Sequence, residues 1–245
     1  MARVGLMLYT VREDCDRDFE GTLRAVASLG YEGVELYDLH RHDATLVRRW
    51  LDELGLVACG RHAGLDALES HLPELAAECA VLAIDRLVLN WLEEPPRSTA
   101  EAKQLAGRLA GTARNAAQLG LRFGFHNHDG EVEPLDGGSS FLDELLADEE
   151  IFLELDLGWA WYAGVDPIAL LDRARGRCPL VHVKDFASRE GREFRPVGDG
   201  AVGYERVIPA AVVAGVEWLL VEQDETDGPA LAAVERSLRA VRAAL

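Results

Sequence analysis

A chain of 245 residues, 49% of them hydrophobic and 28% charged, has enough apolar material for a sizeable core, which excludes a disordered or fibrous polymer. The formal charge is −18, and the Arg residues lie among acids in stretches such as LVRRW and RARGR, which excludes a basic groove for nucleic acid. The first apolar run meets acids within about a dozen residues, too soon for a signal peptide or a membrane span, and Cys15, Cys59, Cys79 and Cys178 lack Cys-x-x-Cys spacing, so reduced thiols and a cytoplasmic location are expected.

In chain order, the first strand is predicted over Val4–Tyr9. The stretch ASLGYEGVELY then closes a helix on Gly30 and opens a second strand, Gly33–Tyr37. The same punctuation returns at Gly55 before Leu56–His62, at Gly120 before Leu121–His128 and at Gly215 before Trp218–Asp224. Each of these glycines suits the left-handed residue that ends a helix and turns the chain into a strand. Further strands are predicted at Arg86–Trp91, Phe152–Trp159 and Leu180–Asp185, with helical patterns of roughly 9–20 residues between them. The last helix places Leu231, Val234, Leu238, Val241 and Leu245 on one face, with Asp227 and Pro229 as starting signals. Strands alternating with helices imply parallel crossovers, and eight such units in about 250 residues are what a closed (β/α)8 barrel requires. The Pro95–Pro96 pair in LEEPPRST is too brief for a linker, so residues 1–245 read as one domain. An open doubly wound sheet is the alternative, but LYTVRED follows the first strand where a Gly-x-Gly-x-x-Gly would stand.

Parallel barrels carry their chemistry on inward side chains at the carboxyl ends of the strands. Those ends read Glu35, His62, Asn90 with Trp91, His126 with His128, Asp156, His182 with Lys184, and Glu222. Any one of them has an ordinary explanation as a cap or a hydrogen-bonded core group. Converging on neighbouring staves, however, buried carboxylates and imidazoles without a counter-charge are costly, and a divalent cation removes that cost. Asp156, His182 and Glu222, completed by a side chain of the fifth strand, make a four-ligand set suited to Mn²⁺, Mg²⁺, Co²⁺ or Zn²⁺.

These residues carry a resemblance. The blocks LMLYTVRED, LGYEGVELY, FHNHDGEVE, LELDLGWAWYAGVDP, PLVHVKDF, VGDGAVGYERVI and VEWLLVEQDE resemble, in order, the xylose-isomerase-like superfamily of sugar and sugar-phosphate isomerases and epimerases. Within it they are similar to an "HNH" branch near the inosose dehydratases and enzymes of 3-keto sugars. Epimerase-type members hold one divalent metal with a Glu, an Asp, a His and a second Glu from strands five to eight. The resemblance places the Asp on Asp156, the His on His182 and the second Glu on Glu222. His126 stands where the first Glu belongs, and Trp159 where many sugar epimerases place a His, which makes the pocket floor more apolar. By alternation His126 and His128 face one side and Asn127 the other; the expectation is His126 on the metal, with His128 and Glu131 above it toward substrate and Glu133 on the loop surface.

The resemblance implies proton abstraction beside a carbonyl through a metal-stabilised enediolate. Glu222 serves as ligand and base, or His128 as base, while Lys184 holds an oxyanion or leaving hydroxyl unless it only pairs with Asp156. Glu35, His62, Trp91 and Trp159 are expected to shape the substrate end. Epimerisation, isomerisation and dehydration all branch from the enediolate, so an inosose-type dehydratase is the alternative. A metal nuclease of the superfamily conflicts with the net charge, and a noncatalytic sugar-binding barrel is the third class. The expected partner is a carbohydrate or cyclitol, without nucleic acid or membrane, and the resemblance implies a homodimer or tetramer. VGDGAVG, residues 197–203, reads as a mobile loop at the barrel mouth, its Asp199 unsuited to phosphate.

Overall fold

Amphipathic helices alternate with short apolar strands that have no polar face to show to water, so the strands pair with one another and the helices cover them. The computed structural model describes residues 2–245. Its strands are β1 (Arg3–Met7), β2 (Gly33–Leu36), β3 (Val57–Ala63), β4 (Arg86–Leu89), β5 (Arg122–His126), β6 (Ile151–Asp156), β7 (Leu180–Val183) and β8 (Trp218–Val221), and they close into one parallel barrel in sequence order. The expected (β/α)8 barrel is what the chain forms.

Local chemistry sets the surrounding helices. Helix Ala44–Leu54 begins where the Asp43 carboxylate accepts the Thr45 N–H and buries Val47, Trp50 and Leu51. Helix Ala230–Ala244 buries Val234, Leu238 and Val241, whereas Leu245 is exposed. Gly30, Gly55, Gly120 and Gly215 all adopt positive φ, between 68° and 104°. Among the described residues no helix is long and apolar enough to cross a membrane, and the four cysteines are buried free thiols.

Inside the barrel the inward side chains form levels. The lowest is an apolar plug of Cys59, Val88, Phe152, Leu180, Trp218 and Leu220. Glycine makes room for it: a Cβ on Gly124 would sit 2.3 Å from the Phe152 ring. Two residues further along β6, Phe152 gives way to Glu154 and then to Asp156, and along β7 Leu180 gives way to His182 and then Lys184. Each strand therefore runs from plug to polar middle to mouth.

Several strands end earlier than predicted. β1 stops at Met7 and Leu8–Val11 forms a 3₁₀ turn; β2, β4, β5, β7 and β8 also leave the ladder one to three residues sooner. The clearest difference is β6, which ends at Asp156 rather than Trp159. The Asp156 carboxylate accepts the Trp159 N–H at 2.8 Å and starts a helix over Leu157–Tyr162. Asp185 and Phe186 pair with Phe194 and Arg195 in a separate two-stranded hairpin. The loop at 197–203, expected to be mobile, is instead tied down. The buried Asp185 carboxylate accepts the N–H groups of Gly198, Gly200 and Val202 at 2.9, 3.1 and 3.1 Å.

Candidate active site

The polar middle level is buried. Glu35, Glu154 and His182 are fully buried and His62 nearly so. His62 Nε2 lies 2.6 Å from Glu154 Oε1 and 3.2 Å from Glu35 Oε2. His182 Nε2 lies 2.7 Å from Glu35 Oε2 and 3.1 Å from Glu154 Oε1, and His126 Nδ1 lies 3.1 Å from the same Glu154 oxygen. Burial by itself pulls the His62 imidazole down, but Glu35 and Glu154 outweigh it and hold it at about 9. His182 is likewise raised against its burial by Glu154 and Glu222, and Glu154 is lowered against its burial by His182 and His62. A close register makes this level possible. A bulge between Val34 and Glu35 sets Glu35 beside Gly60, whose missing Cβ leaves space for the carboxylate.

The level above it opens on the mouth. Lys184 Nζ stands 3.1 Å from Asp156 Oδ2, 2.9 Å from Glu222 Oε2 and 2.9 Å from Asp224 Oδ1. Those three carboxylates raise the Lys184 ammonium's pKa against its complete burial. Burial pushes Asp156 up to about 6 despite Lys184, and Asp224 is raised by burial too. Three carboxylates crowd one ammonium, and only Glu222 is also within hydrogen-bond distance of an imidazole, His182 Nδ1 at 2.7 Å, an excess of negative charge that a divalent cation would meet. Beyond its ion pair with Lys184, the buried Asp156 Oδ2 has no hydrogen-bond partner. One ligand atom from each of His126, Asp156, His182 and Glu222 lies within 4.8 Å of the others. The donor set therefore fits a divalent ion.

Neighbouring groups hold these side chains in place. Asn127 Oδ1 accepts the Asp156 N–H at 3.0 Å, which is why the residue between the two histidines faces away from them. Tyr204 accepts the Lys184 N–H at 2.9 Å and donates to its carbonyl at 2.8 Å. Burial and His126 hold the His128 imidazole down at about 2, and burial and His182 hold His126 at about 3, so both rings are neutral near neutral pH.

A cavity of about 510 Å³ lies over this floor, reaching His62, His126, His128, Lys184, Glu222 and Asp224. Trp91, Trp159, Tyr9 and Tyr37 wall it, giving apolar faces of the kind that pack on sugar C–H groups. Trp91 is 54% exposed and meets His128 edge-on, so it is not a core residue. Arg192, on the hairpin loop, lies over the Trp159 ring and pairs with Asp129 at the rim.

The candidate residues separate by depth. His126, His128, Asp156, His182, Lys184 and Glu222 come together at the floor, and Trp91 and Trp159 line the cavity. Lys184 does pair with Asp156. Glu35 lies in the buried level below, away from the cavity lining, with His62 joining the two. Glu131 is buried with its carboxylate turned back to accept the His128 N–H at 2.9 Å, and it does not line the cavity; Glu133 is exposed. Two acidic groups escape a reading of strand ends, Glu154 and Asp224. Alternation from Asp156 and from Glu222 points to both, since each is two residues away on the same face.

Comparison with known proteins gives the class. Residues 23–244 match the family model described as xylose isomerase-like TIM barrel, and the chain belongs to that family. Among relatives, an inosose dehydratase of Clostridium beijerinckii is 30% identical over 260 residues, spanning 89% of this chain and 85% of that protein. The rhizopine catabolism protein MocC of Rhizobium meliloti is 27% identical over 249 residues, with 86% and 76% covered. A solved sugar phosphate isomerase/epimerase from Parabacteroides distasonis shares the fold, with a TM-score of 0.84 at 18% identity over 98% of this chain and 97% of that one.

Proposed function

We propose that the protein is a metal-dependent isomerase or epimerase of a keto-sugar or related polyhydroxylated substrate, working by proton abstraction beside a carbonyl. The observation that carries this reading is the convergence of His126, Asp156, His182 and Glu222 on one point of the cavity floor, beside a fully buried lysine. These four residues would hold a divalent cation, which when bound supplies Lewis-acid stabilisation of the oxyanion next to the reacting carbon. Two relatives support the substrate class, one named for an inosose and one for rhizopine catabolism.

The side chains divide the work. Glu222 Oε2 is held by His182 Nδ1 at 2.7 Å and by Lys184 at 2.9 Å, which leaves Oε1 to take the proton from carbon. His128 is the second candidate for the base because its buried Nδ1 has no partner, although burial, which holds its imidazole down at about 2, makes it a weak one. Lys184, kept charged, donates to the developing oxyanion or to a departing hydroxyl. That donor favours one second reading, dehydration of an inosose-type cyclitol, because a β-hydroxyl departs far more readily as water, with a proton from Lys184, than as hydroxide.

The test is solvent exchange. Purified protein supplied with Mn²⁺ is incubated in D₂O with keto-sugars and inososes, and loss of the proton at the carbon beside the carbonyl is followed by NMR. Exchange with an epimeric product supports the isomerase, exchange with water loss and enone absorbance supports the dehydratase, and no exchange on any substrate overturns both. We further propose a cytoplasmic protein that acts on small molecules rather than on nucleic acid, in keeping with its net charge.

A further inference from the structure

The buried level beneath the cavity floor has a geometry that ion pairing leaves unexplained. Three imidazole nitrogens, His62 Nε2, His126 Nδ1 and His182 Nε2, converge on the single oxygen Glu154 Oε1 at 2.6, 3.1 and 3.1 Å. Glu35 Oε2 joins them, 2.7 Å from His182 Nε2 and 3.2 Å from His62 Nε2. Meanwhile Glu154 Oε2 and Glu35 Oε1, just as buried, have no partner at all. Hydrogen bonding alone would spread the donors over all four carboxylate oxygens. Crowding nitrogen and oxygen atoms onto one point is instead how ligands pack around a small ion, where tetrahedral donors about 2.0–2.1 Å from zinc stand roughly 3.3 Å apart.

We propose that His62, His126, Glu154 and His182, with Glu35 beside them, form a second cation site below the catalytic one, taking a borderline divalent transition ion such as Zn²⁺ or Co²⁺. Ligand chemistry selects the class, because three imidazoles favour Zn²⁺ and Co²⁺ over the oxygen-loving Mg²⁺. Charge agrees, since the two carboxylates are matched by one divalent ion. Binding then displaces imidazole protons to solvent and is favoured by rising pH. His62 and His126 line the cavity floor, which gives the ion its way in. The two sites also communicate. His182 turns Nδ1 up to Glu222 and Nε2 down to Glu35, and His126 turns Nε2 up, 4.0 Å from Asp156 Oδ2, and Nδ1 down to Glu154. The lower site does not require the upper one to be catalytic.

The test is a Co²⁺ titration of the chelator-treated full chain, followed by visible absorption and by metal analysis after desalting. Two bound equivalents are expected in the native protein, with Glu154→Gln and Asp156→Asn each retaining one. His62→Gln, which removes a ligand of the lower site only, replaces Glu154→Gln if circular dichroism shows that variant unfolded. A cobalt content unchanged by loss of Glu154 or His62 overturns the proposal, as does a single equivalent lost equally in the lower and upper variants. A single equivalent lost with Glu154 or His62 but kept in Asp156→Asn supports the lower site and removes the catalytic one above it.

Discussion

The two polar levels of the barrel share His126 and His182 yet meet their charge in opposite ways. Below, Glu35 and Glu154 each set one oxygen against imidazoles, and the contacts raise His62 and His182 and lower Glu154. Above, Asp156, Glu222 and Asp224 crowd one ammonium; burial pushes both aspartates up, while Lys184 and His182 hold Glu222 down against its burial. The lower level therefore stabilises the fold, while the upper one holds uncompensated charge next to the cavity. Strain of this kind belongs where a ligand supplies the missing charge.

Substitutions break that contrast most sharply at Glu222, just past β8, and at the two carboxylates of β6. Glu222→Gln should lower the solvent-exchange rate by about 10²–10⁴, the range for loss of a general base, as read by NMR in D₂O. Asp156→Asn should abolish exchange as well, yet leave the urea midpoint of the chelated protein unchanged or higher at pH 7. An Asn keeps the helix cap and removes a carboxylate that the fold disfavours. Glu154→Ala should do the reverse, costing about 3–5 kcal/mol of stability by urea unfolding, because it strands buried imidazolium. Equal losses of stability at Asp156 and Glu154 would erase the distinction between the levels.

Acidity gives a smaller effect with a fixed sign. His62 is held at about 9 against an ordinary 6.5, so the folded chelated protein keeps a proton that the unfolded chain releases. Its contribution, on the order of 3 kcal/mol, is fully present below pH 6.5 and is lost as pH rises through about 9. Urea midpoints measured from pH 6 to pH 10 should fall across that window, and His62→Gln should flatten the fall. The smallest effect is expected at the rim. Trp91→Ala should raise KM several-fold, about 1 kcal/mol of lost contact, without moving the urea midpoint, since that ring is already half in solvent. A drop in stability there would mean that Trp91 packs as core.

Much of this was open to inspection in the primary structure. The period of helices and strands, the glycine junctions and the polar carboxyl ends follow from local chemistry, and they lead to a barrel with Asp156, His182 and Glu222 at its mouth. Even Glu154 obeys the alternation that marks Asp156, but a rule that looks only at strand ends passes over a residue one level down. The helix at Leu157–Tyr162 was hidden because Asp156 ends a strand and caps a helix with the same side chain. The pinned loop was hidden because the carboxylate that holds Gly198 and Gly200 comes from Asp185, on the far side of a hairpin.

The amino-acid order by itself determined which side chains point into the barrel, because that depends on a two-residue period along each strand. Only the tertiary structure decided which of them share a level, because depth depends on the stagger between neighbouring strands and on bulges such as the one at Glu35. Glu35 and His182 are 147 residues apart and meet at 2.7 Å. No local pattern encodes that meeting; barrel closure does.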